Sequence, residues 1–193
     1  MSSAPLITPI SPTACTIEGI VVVPRVTHFD GRGFLVEGLR KDDEVALGHE
    51  FYMAYTSLSV PGAARDADRW HHHALQQDRY LVITGAMLMA FYDPRPSSPT
   101  QGCLEVLRVV GASSAQVAEA SSSGQRFDVP THLVMIPIGV YHAVKNAGHE
   151  GSILQNFPTR LYDPADEGRA PFADVPIPGL GNAPFAWDLV VAE

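Results

Sequence analysis

The chain has 193 residues, 46% of them apolar, which suits one domain with a substantial core. Its 21 Asp and Glu outweigh 13 Lys and Arg, and this negative balance argues against nucleic acid or an anionic membrane as the main partner. The two cysteines, Cys15 and Cys103, are too few for a disulfide framework and fit a reducing compartment.

The opening stretch MSSAPLITPISPTAC has no basic start and no sustained apolar run, so it does not read as a secretory signal. No segment reaches the roughly 18 apolar residues of a membrane helix, and a cytoplasmic protein is expected. From Gly19 onward, short β-type runs follow one another between glycines and prolines. They are Gly19–Val26, Glu50–Val60, Arg79–Asp93 (two strands bent at Gly85), Cys103–Val110, His132–Gly139, His142–Asn146 and Ser152–Thr159. Many short strands separated by turn signals predict an all-β antiparallel sandwich or barrel. Two places look helical: Leu39–Gly48 as a short helix, and Ser113–Gly124 as one turn or a loose loop. The expected organisation is an N-terminal extension over 1–18, a β-barrel domain over 19–168 and an irregular Pro/Gly-rich arm over 169–193. Trp187 in that arm suggests that the arm packs onto something, a partner subunit being one candidate.

The stretch DRWHHHALQQDRY, 68–80, carries three successive histidines. Side chains alternate faces along a strand, so His71 and His73 would point one way and His72 the other. Gln77 follows His73, and IPIGVYHAVKN then supplies Pro137, Gly139, His142 and Asn146, with Pro137 and Gly139 making a tight turn into a strand near His142.

These spacings resemble the two motifs of the cupins, H-x-H-x(3,4)-E-x(6)-G and P-x-G-x(2)-H-x(3)-N. The first reads His71, His73, Gln77 and Gly85, with Gln77 in the acidic position and the gap to Gly85 one residue long; the second matches at every fixed position. The fold this implies is a double-stranded β-helix, or cupin jelly roll, with few short helices. A narrower resemblance lies upstream. FDGRGFLVEGLR matches the D-x-R-G-F-F-x-E signature of dTDP-4-dehydrorhamnose 3,5-epimerases and related sugar-nucleotide cupins at Asp30, Arg32, Gly33, Phe34 and Glu37. FYMAYTSLS is similar to a family strand at Phe51, Ser57 and Ser59, with Met53 and Tyr55 in place of Gln and Asn. RWHHH aligns with the catalytic strand and puts the general base at His71, and LYDPADEGRAPFAD looks like a later family segment.

The resemblance implies a sugar-nucleotide epimerase or isomerase acting on a dTDP-4-keto-6-deoxyhexose or a relative. His71 would take the proton and His73 or His142 would stabilise the enolate. Arg32 and Glu37 would contact the nucleotide, with Arg69 or Arg65 standing near the family's arginine before the catalytic strand. No cofactor would be required, and a homodimer, with swapped N-terminal strands as one form, would be the assembly. Three departures stand out. The family's acid tyrosine has Gln155 or Asn156 at its position, its late aspartate segment is not found, and its arginine before the catalytic strand has only an approximate counterpart in Arg65 or Arg69. Tyr80, Tyr141 and Tyr162 read as packing residues or a displaced acid. Two other readings stay open. One is a metal-dependent cupin, a dioxygenase or isomerase with a divalent transition metal on His71, His73, Gln77 and His142. The other is a non-catalytic sugar-binding cupin. His28, His49, His132 and His149 fall outside the motifs and read as surface residues.

Overall fold

A computed structural model describes residues 5–43 and 51–191. The described residues hold eleven strands and one α-helix. The strands are β1 (Val21–Asp30), β2 (Gly33–Val36), β3 (Tyr55–Ser59), β4 (Arg69–His73), β5 (Asp78–Thr84), β6 (Ala86–Tyr92), β7 (Leu104–Val110), β8 (Phe127–Ile136), β9 (Tyr141–Asn146), β10 (Ser152–Asn156) and β11 (Glu167–Pro171); the helix is α1 (Ser114–Ser123). They form a six-stranded sheet, β2-β1-β8-β5-β10-β3, and a five-stranded sheet, β11-β4-β9-β6-β7. All strand pairs are antiparallel, and the two sheets face each other as a jelly roll, the all-β cupin architecture that the sequence predicts.

Gly85 is where the chain changes sheets. Strand β5 lies in the six-stranded sheet and β6 in the five-stranded one. The φ of Gly85 is +76°, and a Cβ there would stand 2.3 Å from the Oγ of Ser152, so only glycine fits the bend. Strand β6, AMLMAFY, is buried at every position, because both of its faces are covered. Met87, Met89 and Phe91 pack between the sheets with Tyr80, Val134 and Leu154. Leu88, Ala90 and Tyr92 face outward, where Phe172, Ile177, Leu180, Phe185, Trp187 and Val190 cover them. A continuous apolar run is what two-sided burial requires.

The last of these residues belong to the Pro/Gly-rich arm. Residues 172–191 lie on the outer face of the chain's own five-stranded sheet, and Trp187 donates its indole N–H to the carbonyl of Asp66 at 2.9 Å. The start of the arm is not irregular: EGRAP pairs with β4 in full register, despite the composition that hid it. A second strand not expected from the sequence is β2, which closes a hairpin with β1 inside the Phe29–Arg40 motif. The segment read as a turn or loose loop is a true ten-residue helix, α1. Ser113 caps it through a reciprocal capping box with Gln116, and Gly124 ends it in the left-handed region. Of the helix expected over Leu39–Gly48, only a 3-10 turn at Lys41–Asp43 is described; residues 44–50, His49 among them, lie outside the described residues. No helix among the described residues is long and apolar enough to cross a membrane.

Candidate active site

The strand β4 turns His71 and His73 inward, while His72 faces out and stacks on Tyr141. His142 on β9 is the direct register partner of His71. It is delivered by the turn in which Gly139, at φ +79°, donates its N–H to the carbonyl of His73. Ring centroids lie 4.7 Å apart for His71 and His73, 5.0 Å for His71 and His142, and 6.3 Å for His73 and His142. The trio that is scattered in sequence is one cluster in space.

The acidic member of the cluster is Asp78, not Gln77. Asp78 enters from β5 on the facing sheet and is 1% exposed. Its Oδ2 lies 3.4 Å from Nε2 of His142, 3.5 Å from Nε2 of His73 and 3.3 Å from the hydroxyl of Tyr80. Its Oδ1 accepts from the amides of Gln76 at 2.9 Å and Asn156 at 2.7 Å. Burial works against this carboxylate, but the two histidines outweigh it and hold its pKa far below the usual range. Gln77 does not line the cavity, and its backbone N–H and carbonyl both meet the Thr159 hydroxyl. The sequence carried the signal. With Asp78 in the acidic place, the spacing is four residues from His73 and six to Gly85, which fits the cupin pattern without the extra residue.

His73 sits between two carboxylates, with Nδ1 3.3 Å from Asp166 on the side away from Asp78. Burial lowers its pKa, but Asp78 and Asp166 together raise it above the usual histidine value. His71 behaves in the opposite way. Burial and the charges of His142 and His73 push its pKa down to about 3, so its ring is neutral near pH 7. Its Nε2 lies 3.5 Å from Glu167 on β11. Glu167 is itself held by Arg169, whose other arm reaches Asp66 at 3.2 Å. Burial would raise the Glu167 carboxyl, but Arg169 and His71 hold it below its ordinary value.

His71 and His73 open onto a cavity of about 400 Å³ whose lining includes Tyr55, Gln76, Tyr162, Glu167 and Arg169. The residues expected to contact the nucleotide do not line it. Arg32 is exposed at the β1–β2 hairpin and paired with Asp30, in a separate and larger open concavity of about 630 Å³. Glu37 pairs with Arg40, and Arg69 pairs with its neighbour Asp68 at the surface.

Among the described residues, no three His, Cys, Asp or Glu side chains are grouped as an ion would need. The amide that would have been a weak ligand, Gln77, is outside the cavity. Both ring nitrogens of His73 already face carboxylates, and Nε2 of His71 faces Glu167.

The fold and this inward cluster of histidines and carboxylates define a cupin with a catalytic-type interior. No protein-family model matches the chain. It is 37% identical over 160 residues to the probable low-salt glycan biosynthesis epimerase Agl13 of Haloferax volcanii, covering 81% of this chain and 88% of the relative. It is 33% identical over 171 residues to the spore coat polysaccharide biosynthesis protein SpsL of Bacillus subtilis, covering 88% and 99%. Among solved structures, a dTDP sugar isomerase from Desulfovibrio desulfuricans G20 superposes with a TM-score of 0.63 at 20% identity, covering 93% of this chain and 94% of that one. The epimerase RmlC of Legionella pneumophila, in complex with dTDP-4-keto-L-rhamnose, superposes with a TM-score of 0.62 at 20% identity, covering 96% and 86%. The chain belongs to the family of cupin sugar epimerases of polysaccharide biosynthesis related to the dTDP-4-dehydrorhamnose 3,5-epimerases.

Proposed function

We propose that the protein epimerises a dTDP-4-keto-6-deoxyhexose or a close relative, with His71 as the base. The observation that carries this reading is a neutral imidazole on the cavity wall with a carboxylate beside it. A base must be unprotonated before it acts, and the low pKa of His71 ensures that. When it takes the proton next to the sugar keto group, Glu167 faces the new positive charge. His73, whose protonated form Asp78 and Asp166 favour, faces the cavity and stabilises the oxygen on which negative charge develops, with His142 supporting it through Asp78. The reading needs no metal.

Arg32 and Glu37 serve the nucleotide in this scheme from the hairpin of a second subunit, because neither lines the cavity of its own chain. The exposed apolar side chains of Val26 and Leu35 on that hairpin support a homodimer. A cytoplasmic location goes with a nucleotide-linked substrate. The test is incubation with dTDP-4-keto-6-deoxyglucose in heavy water, followed by NMR. Deuterium should enter at the carbon next to the keto group, and His71→Ala should slow that entry by about 100-fold or more. Entry at the wild-type rate in H71A rules His71 out as the base.

A further inference from the structure

We infer that Tyr55, on the wall opposite His71, is the proton donor that completes inversion at the substrate carbon. This rests on the epimerase reading above and assigns the half of the reaction that His71 cannot perform. Inversion needs a proton removed from one face and another delivered to the other. His71 projects from the five-stranded sheet, whereas Tyr55 begins β3 of the facing six-stranded sheet, and both line the same cavity.

The hydrogen bonds around Asn156 show why Tyr55 suits the role. Asn156 is the register partner of Tyr55 on β10. Its side-chain oxygen accepts the backbone N–H of Arg79 at 3.0 Å, which fixes the orientation of the amide. The amide nitrogen must then donate, and it does so to Asp78 at 2.7 Å and to the Tyr55 hydroxyl at 2.9 Å. The phenol oxygen is therefore an acceptor in this bond, and its own proton is left for the cavity. The other tyrosines differ. Tyr80 is buried and gives its proton to Asp78, Tyr162 is 69% exposed, and Tyr141 stacks on His72 on the outer face. Burial and the nearby Asp78 charge push the Tyr55 hydroxyl up to about 12, so it holds its proton until a strong base such as an enolate carbon meets it.

The step balances. The proton on the carbon next to the keto group goes to His71, and the C–H electron pair becomes the enolate. That carbon then takes the Tyr55 proton on its other face as a new C–H bond forms. The phenolate recovers a proton from water and His71 releases one to water, so no oxidant or reductant takes part.

The experiment compares wild type and Tyr55→Phe on dTDP-4-keto-6-deoxyglucose in heavy water. It follows deuterium entry and the configuration of the carbon separately. In Y55F, inversion should fall by about 100-fold or more, while exchange at the original configuration stays within about threefold of wild type. The surviving exchange also shows that the variant is folded. Inversion at the wild-type rate in Y55F overturns the assignment and leaves the epimerase reading standing. Loss of exchange together with inversion also overturns it, since the hydroxyl would then serve the abstraction step. A wild-type protein that neither exchanges nor inverts this or related keto sugars overturns both readings.

Discussion

Asp166 holds His73 and the turn behind it with the same carboxylate. Its Oδ1 accepts the backbone N–H groups of Ala74 at 2.9 Å and Leu75 at 2.6 Å, and its Oδ2 accepts that of Gln76 at 3.0 Å and lies 3.3 Å from Nδ1 of His73. The turn that carries the chain from β4 to Asp78 is thus built around one buried charge. Asp166→Ala leaves these N–H groups without their acceptor and should cost about 3 kcal/mol in urea unfolding. Asp166→Asn removes the charge with little change of shape, and the His73 titration followed by NMR should move to lower pH. An unmoved titration would mean that Asp166 has no electrostatic hold on the ring.

His71 makes the fold sensitive to acid. Its pKa is lowered to about 3 in the folded protein, whereas an unfolded chain has a histidine near ~6.5. Between these values the unfolded chain binds more protons, so stability falls as pH falls, by at most about 1.4 kcal/mol per pH unit from this group. His73 has the opposite sign. Its folded pKa is raised, so its contribution is complete below ~6.5 and is lost as pH rises through the folded value. The Asp78 contribution is present above ~3.9 and is lost on further acidification. Urea midpoints between pH of about 6 and about 4.5 therefore report the histidines with lowered values, His71 together with His72 and His132, and comparison with a His71 variant separates the His71 share. His71→Asn should flatten the decline in that window, and an equal decline in wild type and variant would contradict the depressed pKa.

Glu167 stands 3.5 Å from His71 on the same cavity wall, and its charge matters to the ring only once the ring is protonated. Glu167→Gln should therefore lower kcat by about 10- to 100-fold with KM changed little, because the carboxylate acts on the charged state that follows proton transfer. A rise in KM with kcat unchanged would instead place Glu167 in substrate binding.

The strand pattern and the histidine trio were legible because both rest on short periods. Alternation put His71 and His73 on one face, the Pro137–Gly139 turn marked His142, and Gly85 marked the change of sheet. Asp78 was legible too, through the spacing to Gly85, but Gln77 drew attention by sitting where a ligand could be. The strand β11 was hidden because Gly168, Arg169 and Pro171 have poor strand propensity; its pairing with β4 comes from tertiary context. The carboxylates of Asp166 and Glu167 reach the site from about ninety residues away in sequence, a closeness that no local pattern encodes. Tyr55 was hidden for the same reason. Its partner Asn156 is one of the two residues, with Gln155, whose identity suggested that an acid was missing.

The arm gives a last prediction, on stability. Phe185 is 1% exposed and its ring lies 5.0 Å from those of Trp70 and Phe172 and 5.1 Å from that of Trp187, with the last two contacts near edge-to-face. Trp70 is the residue between Arg69 and His71 on β4, and it points to the opposite side from the histidine. The arm therefore packs against the back of the strand that carries the site. Phe185→Ala removes a fully buried ring and should cost about 3–5 kcal/mol in urea unfolding, since the cavity cannot collapse between flanking aromatics. Because the strand keeps its ladder with β11, the surviving folded protein should still exchange deuterium into the keto sugar, with kcat reduced less than tenfold, a threshold of roughly 1.4 kcal/mol in barrier height. A stability loss under about 1 kcal/mol would show that the arm is held by its hydrogen bonds and termini rather than by this aromatic cluster.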